Sequence, residues 1–128
     1  MKIEKIECFT IWSEDPFKLA DWYKKVFDLK ESLTMNEPDD TGIGFDIGGM
    51  LLWLGYHSEV KGKSKDPFRF IIEFMVDDLD ETYKRLKNVD ALIIREPSFS
   101  PTVSLWIITA HDPDGNTIQF MNKEYKPL

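Results

Sequence analysis

The chain has 128 residues, of which 42% are hydrophobic and 30% charged, proportions typical of one soluble globular domain with its own core. Sixteen basic against 23 acidic residues give a net charge of −7, which argues against nucleic acid or an anionic membrane as a partner and mildly favours a neutral or cationic ligand. The single cysteine, Cys8, excludes an internal disulfide and a metal cage built from several cysteines.

No apolar run approaches the ~20 residues that a membrane span needs. The first residues, Met-Lys-Ile-Glu-Lys, lack the apolar block of a signal peptide. We therefore expect a cytoplasmic protein of one domain spanning residues 1–128.

The first half of the chain predicts a β-α-β-β-β unit over about residues 3–56. Residues 6–12 are rich in β-branched and aromatic side chains and indicate a strand. Asp15 as N-cap and Pro16 at the first helical position then begin a helix. Residues 29–35 form the next strand, and residues 43–56 form a hairpin around Gly48 and Gly49. The apolar residues of the helix recur at helical spacing and predict a face that covers a sheet: Phe17, Leu19, Ala20, Tyr23, Val26 and Phe27.

The second half repeats this pattern over about residues 67–122, after a polar connector at 57–66. Residues 68–76 predict a strand, and Asp78 caps a helix with Glu81 placed to complete a capping box. A strand at 91–95 and a loop at 97–101 follow. Residues 103–110 and 117–121 form a closing hairpin around the turn Asp-Pro-Asp-Gly-Asn at 112–116.

The two halves align with each other. Asp15 matches Asp78, and on the opening strands Thr10 matches Glu73. On the same strands Cys8 matches Ile71 and Trp12 matches Met75. Aligning Gly48-Gly49 with Gly115-Asn116 places Leu52 opposite Gln119. The period is too long for a solenoid, so the chain is described as two tandem units.

The order and spacing of these features resemble the vicinal oxygen chelate superfamily, which includes glyoxalase I, extradiol dioxygenases, and the bleomycin- and fosfomycin-resistance proteins. The resemblance rests on Asp15, the helix segment 19–29 (Leu-Ala-Asp-Trp-Tyr-Lys-Lys-Val-Phe-Asp-Leu), and segments 74–79 and 112–119. It implies an α+β fold in which two tandem βαβββ units form a cup-shaped, barrel-like mixed sheet with the helices outside. It also implies a small-molecule cavity, often in a homodimer.

The metal ligands of the family carry over, by this alignment, to Cys8, Leu52, Ile71 and Gln119. Leucine and isoleucine have no lone pair, and glutamine is a weak neutral donor, so the usual chelate cannot form. The histidines, His57 in the connector and His111 at the rim of the closing turn, are predicted to be solvated loop residues. We therefore expect no metal and no cofactor, which disfavours glyoxalase, dioxygenase and fosfomycin-transferase chemistry.

The lining of the cup follows from the alternation of side chains along strands. Cys8, Thr10 and Trp12 share one face of the first strand. By the repeat, Ile71, Glu73 and Met75 share the matching face of the second unit. The alignment puts Leu52 and Leu54 on the cup side with Gln119, and leaves Trp53 and Phe120 on the core side.

Three interpretations of Glu73 remain open. It is solvated or paired with Arg69 or Arg95, or it is a counter-charge for a cationic ligand, or it is a general base. Trp12 and Trp106 are either stacking platforms for a planar ligand or ordinary core residues. Thr10 either orients a ligand or fills a β-branched strand position, and Cys8 is expected to be a buried, inert thiol.

The sequence thus predicts a metal-independent, dimeric protein that binds a small molecule and sequesters an aromatic or cationic compound. The alternative is a lyase or isomerase that uses Glu73 as a general base, and a metal-dependent enzyme is third. A structural or regulatory module is the remaining possibility. The expected ligand-contacting residues are Cys8, Thr10, Trp12, Leu52, Ile71, Glu73, Trp106 and Gln119.

Overall fold

The computed structural model describes residues 1–127. Its elements alternate in the predicted β-α-β-β-β order, twice, which confirms the α+β class and the tandem repeat. The helices and strands are β1 (Cys8–Ser13), α1 (Pro16–Val26), β2 (Lys30–Glu37), β3 (Asp40–Ile47), β4 (Met50–Tyr56), β5 (Ile71–Met75), α2 (Leu79–Asn88), β6 (Leu92–Ser100), β7 (Leu105–His111) and β8 (Thr117–Asn122).

Each unit builds one four-stranded sheet, and the two sheets have the same topology. The strand order is β1-β4-β3-β2 in the first and β5-β8-β7-β6 in the second. β1 pairs parallel with β4, and β5 pairs parallel with β8, while the other neighbours are antiparallel. The chain separates into two compact units, the first comprising residues 1–24 and 28–62. The second begins at Lys63 and also includes Lys25–Phe27, from the end of α1 and the residue after it.

Both helices begin where the sequence predicts. The Asp15 carboxylate accepts a hydrogen bond from the backbone N–H of Lys18 at 3.2 Å. The Asp78 carboxylate accepts one from the N–H of Glu81 at 3.0 Å. These bonds satisfy amides that have no partner in the first turn of a helix. The carboxylate of Glu81 accepts a hydrogen bond from Arg85, one helical turn later.

One face of the first sheet is buried. Leu52 pairs with Phe45 and Leu54 with Ile43, and all four are at most 3% exposed. Ile11 on β1 lies beside Leu54 in the same row and is also buried. Residues in register on adjacent strands share a face, so these side chains define the core side of this sheet, here termed its buried face.

The second unit has an aromatic core. Phe120 on β8 is fully buried, and its ring centroid lies 5.2 Å from that of Phe27 and 6.1 Å from that of Phe74. Phe27 and Phe74 are 5.1 Å apart. The residue that follows α1 in sequence therefore belongs to the core of the second unit.

The strand boundaries differ from the sequence prediction around two segments. Residues 97–101 were predicted to be a loop, but β6 continues to Ser100. Its pairing with β7 shifts register on either side of Arg95, which lets the strand pass Pro97. The predicted strand at 68–76 begins only at Ile71, and Phe70, which falls within the predicted strand, is 75% exposed.

The turn at 112–116 has the predicted conformation. The Asp112 carboxylate accepts hydrogen bonds from the backbone N–H groups of Asp114 and Asn116 at 2.9 and 3.0 Å. Gly115 has a φ of 76°, which favours glycine. No helix in residues 1–127 has the length and apolar character needed to cross a bilayer.

Candidate functional site

The face of the first sheet opposite the buried face carries two tryptophans. Thr10 is in register with Trp53, and Trp12 with Gly55. This face, here termed the tryptophan face, is accessible: Thr10 is exposed, Trp12 is 46% exposed and Trp53 is partly exposed. Cys8, Thr10 and Trp12 therefore lie on one face of β1, as predicted.

The predicted orientation of β4 is wrong. Leu52 and Leu54 were expected beside Thr10, but they are 2% and 0% exposed on the buried face. Trp53, expected in the core, lies beside Thr10 instead. The second unit pairs Glu73 with Gln119, and the corresponding pair in the first unit is therefore Thr10 with Trp53.

The reversal arises because the two hairpins close on residue pairs that face opposite sides of their sheets. The first hairpin closes on the pair Ile47–Met50, which lies on the buried face like Leu52. The second closes on His111–Thr117, which shares the face of Gln119. Aligning the two turns shifts the strands by one residue, and a shift of one residue reverses every side chain.

The two indoles meet over Gly55. A Cβ atom on Gly55 would lie 2.5 Å from Nε1 of Trp53 and 2.7 Å from Cζ3 of Trp12, so both rings extend over this residue. The His57 ring stands nearly edge-on to Trp12, at a centroid distance of 5.4 Å. His57 was predicted to be a solvated loop residue; it lies just after β4 and is partly buried. Trp12 and Trp53 thus form an accessible aromatic surface, with His57 at its polar edge.

Cys8 and Thr10 supply the polar atoms of this face. The Cys8 Sγ and Thr10 Oγ1 atoms are 3.5 Å apart, within hydrogen-bond distance for sulfur. Cys8 is partly buried and Thr10 is exposed. Both can therefore offer a weak donor or acceptor to a molecule that lies against the tryptophans.

The matching face of the second sheet is crossed by a polar row. Glu73, Gln119, Thr109 and Arg95 are in register on four adjacent strands. Gln119 Nε2 donates a hydrogen bond to Thr109 Oγ1 at 3.1 Å. Glu73 is exposed, and within residues 1–127 it has no ion pair. The arginines suggested as its partners bond elsewhere, Arg69 to Asp66 and Arg95 to Ser98.

Apolar side chains flank this polar row on the same strand. Ile71 and Met75 are 39% and 61% exposed. In the row that contains Ile71, Thr117 is 1% exposed and its Oγ1 atom has no hydrogen-bond partner among residues 1–127. The same holds for Nε2 of His111, which is in register with Thr117; its ring is tilted against that of Phe68 at a centroid distance of 5.6 Å.

Replacing Thr117 with valine is expected to stabilise the protein by about 1 kcal/mol, because a buried hydroxyl without a protein partner is replaced by a methyl group of similar shape. Chemical denaturation with urea measures the change. Thr109→Val is the matched control, since the Thr109 hydroxyl does accept a hydrogen bond and its loss is expected to destabilise. A destabilisation of equal size in both variants would contradict the prediction.

Trp106, predicted to be a stacking platform, lies on the opposite side of its sheet from Gln119. It is two residues from Ile108 and pairs with Asn122, so it shares the side of Phe120. It packs between Phe99 and Tyr125, at ring distances of 5.7 and 5.4 Å.

Tyr125, one of the rings that pack on Trp106, also lies near the α2 residue Tyr83. Burial raises the pKa of Tyr83, and the charges of Glu96 and Tyr125 and a hydrogen bond to Glu96 act in the same direction. The phenol is thus held in its neutral form, as a donor to the Glu96 carboxylate. Trp106 belongs to this aromatic and phenolic cluster rather than to the row of Glu73.

The donors at the family's metal positions do not fit a divalent metal. With the corrected register these positions are Cys8 and Trp53 in the first unit and Ile71 and Gln119 in the second. The indole N–H is a donor only, isoleucine has no lone pair, and an amide oxygen binds weakly. Residues 1–127 contain no group of three or more His, Cys, Asp or Glu side chains placed to hold a metal ion.

Comparison with known proteins identifies the family. Residues 5–120 match the model of the Glyoxalase/Bleomycin resistance protein/Dioxygenase superfamily, and the chain belongs to this superfamily. No match was found among curated protein sequences.

Solved structures share the fold at low sequence identity. A glyoxylase/bleomycin resistance protein/dioxygenase domain from Frankia sp. EAN1pec is 19% identical, with a TM-score of 0.78 over 94% of this chain and 98% of that one. The fosfomycin resistance protein FosX from Listeria monocytogenes is 15% identical, with a TM-score of 0.73 over 94% and 93%. Lactoylglutathione lyase from Agrobacterium tumefaciens is 19% identical, with a TM-score of 0.68 over 94% and 95%.

Sequence reasoning missed Trp53 and the glycines beneath it. Gly42 and Gly44 stand two residues apart within a strand, where glycine is unfavourable unless something approaches the backbone closely. Gly55 lies on the neighbouring strand, in register with Gly42. This spacing was the signal that could have placed an aromatic ring on this face.

Proposed function

We propose that the protein sequesters a small planar aromatic or cationic compound without using a metal. The observation that carries this proposal is the pair of tryptophans, Trp12 and Trp53, side by side on an accessible sheet face. Stacked aromatic rings gain ~0.5–1.5 kcal/mol beyond the area they bury, and cations over an indole gain a similar amount. Thr10 and Cys8 would hydrogen-bond the polar edge of the compound.

A titration with two planar tricyclic compounds tests the proposal. Acridone is neutral and 9-aminoacridine is cationic at neutral pH. We expect quenching of tryptophan fluorescence by at least one of them, with calorimetric titration as a check that does not depend on absorbance. Absence of binding by both compounds at millimolar concentration would overturn the proposal.

Metal independence is tested in the same titration. Protein purified without chelator and protein dialysed against a chelator are expected to bind with equal affinity. A loss of binding after dialysis, restored by a divalent ion, would favour the metal-dependent reading instead.

A dimer is part of the proposal, because the family resemblance implies paired units. Sedimentation analysis at micromolar concentration is expected to show a species of twice the chain mass. A monomer at that concentration, with binding intact, would remove the dimer from the proposal and leave the tryptophan platform standing.

Glu73, on the second sheet, supports both the binding of a cationic compound to that sheet and the rival function. Its carboxylate is exposed, free of ion pairs among residues 1–127, and in register with an amide. It is the candidate counter-charge for a cationic compound. In the rival reading it is the general base of a lyase or isomerase, and a lyase is among the proteins that share the fold.

Replacing Glu73 with glutamine separates these readings. If the carboxylate is a counter-charge, 9-aminoacridine binding is expected to weaken roughly two- to fivefold, the range of an exposed charge pair, while acridone binding is unchanged. If it is a general base, turnover of a substrate is lost while binding is largely retained. Equal binding of both compounds by the variant and the natural protein would exclude the counter-charge role.

A further inference from the structure

Three glycines lie directly beneath the indoles of the tryptophan face. A Cβ atom would lie 2.7 Å from Cζ2 of Trp53 if placed on Gly42, and 3.3 Å from Cε3 of the same ring if placed on Gly44. On Gly55 it would lie 2.5 Å from Nε1 of Trp53. Carbon atoms in contact are normally ~3.5–4.0 Å apart, so Trp53 occupies space that any side chain at these positions would need.

The backbone does not explain these glycines. Among the described residues, the glycines with positive φ are Gly48, Gly49, Gly62 and Gly115. Gly42, Gly44 and Gly55 are therefore in conformations that other residues adopt, inside strands that glycine weakens. Their common property is that they are buried beneath an accessible aromatic surface. At Gly55 the atoms nearest to a Cβ all belong to the two indoles, whereas at Gly42 the Leu54 carbonyl oxygen and at Gly44 the Leu51 side chain also fill the space beside Trp53.

The contacts also define how Trp53 lies. The glycines approach its ring at Cε3, Cζ2 and Nε1, atoms that span both rings of the indole. A ring held close to the backbone at three such points lies along the sheet, with one face against the strands and the other turned away from them. Trp12 continues the surface, because its Cζ3 and Cε3 atoms lie 2.7 and 3.1 Å from the same Cβ position of Gly55.

No charged residue is found in the two rows that form this surface. One row is Thr10, Trp53, Gly44 and Leu33, and the other is Trp12, Gly55, Gly42 and Met35. On the same face, charged residues lie in the rows on either side: Asp46 and Lys30 in the row of Cys8, and Glu37 and Asp40 in the row beyond Met35 and Gly42. A neutral ring system that stacks here would therefore meet no charged side chain in these two rows. A charged ring would find no counter-ion in them.

We propose that Gly42, Gly44 and Gly55 determine ligand specificity by seating Trp53 and Trp12 against the sheet, so that the tryptophan face accepts the neutral part of a fused-ring aromatic compound. This proposal rests on the proposed function. It adds the ligand class, two or more fused rings without charge in the stacked part, and names the residues that set the depth of the platform.

Gly55→Ala is the variant of choice. The new Cβ meets the ends of two side chains rather than backbone, so the fold can persist while both indoles are displaced. We expect binding of acridone to weaken tenfold or more. The near-ultraviolet circular dichroism of the tryptophans should change at the same time, which a loss of overall stability alone would not produce in the folded protein.

Gly44→Ala is the second variant, with a smaller expected effect, and it tests the inference even if Gly55→Ala misfolds. Its Cβ would meet Leu51 at 2.8 Å and only one edge of Trp53 at 3.3 Å, so a smaller loss of acridone binding is expected. Phenol, a single ring, should lose less than acridone in both variants. Gly42→Ala is not used, because its Cβ would lie 2.3 Å from the Leu54 carbonyl oxygen.

The outcomes are distinguishable. If the natural protein binds neither acridone nor 9-aminoacridine, the proposed function fails and this inference fails with it. If the natural protein binds acridone and both folded glycine variants bind it equally well, the inference is overturned and the proposed function stands. If only 9-aminoacridine binds, the neutral ligand class is wrong.

Discussion

Replacing Trp53 with leucine is expected to weaken acridone binding roughly 5- to 30-fold, the effect of losing about 1 to 2 kcal/mol of ring stacking. Leucine keeps apolar bulk over Gly42, Gly44 and Gly55 but has no π face. Calorimetric titration of acridone into the folded variant measures the change. Trp12→Leu is expected to act in the same direction, since the two indoles meet over Gly55.

Trp106→Leu is the matched control, with the same chemical change in a ring that packs on Phe99 and Tyr125. It is expected to leave acridone affinity unchanged. The comparison decides between the platform that the sequence suggested, Trp12 with Trp106, and the one that the sheet register provides, Trp12 with Trp53. A loss in Trp106→Leu larger than in Trp53→Leu would contradict the site described above.

Replacing Phe120 with alanine is expected to lower the free energy of unfolding by about 3 to 5 kcal/mol, the usual cost of deleting a fully buried phenylalanine. The cavity would open between Phe27 and Phe74, whose rings both contact Phe120. Because domains of this size are stable by only ~5–15 kcal/mol, this single change removes a large part of the total. Urea denaturation followed by circular dichroism measures it.

Phe99→Ala provides the comparison within the same unit. Phe99 is 47% exposed and contacts Trp106 alone among the described rings, so its loss is expected to cost less than about half as much. If the two variants were equally stable, the aromatic core of the second unit would not have the role assigned to it. A Phe27→Ala variant with a cost close to that of Phe120→Ala would confirm that the residue after α1 stabilises the second unit.

Local signals in the sequence were sufficient for most of the fold. Asp15 and Asp78 cap the helices as predicted, because a carboxylate before an amphipathic segment satisfies amides within the same few residues. The turn at 112–116 formed for the same reason, with Asp112 bonding amides of its own turn. The repeat of these signals was enough to indicate the family that the comparisons identify.

Segments whose conformation depends on a neighbouring strand were predicted less well. Pro97 suggested a loop, but pairing with β7 carries β6 past it by means of irregular register. Phe70 suggested a core strand, yet β5 begins only where pairing with β8 begins, at Ile71. In both cases the deciding hydrogen bonds come from residues far away in sequence.

The sequence by itself determined the two βαβββ units and the acidic charge, because these depend on residue type and local spacing. Only the tertiary structure decided which tryptophans form an accessible surface. That outcome depends on pairing β4 against β1 in one register, where a shift of one residue exchanges Leu52 for Trp53. It also depends on glycines from β3 and β4 meeting beneath one ring, which neither strand indicates alone.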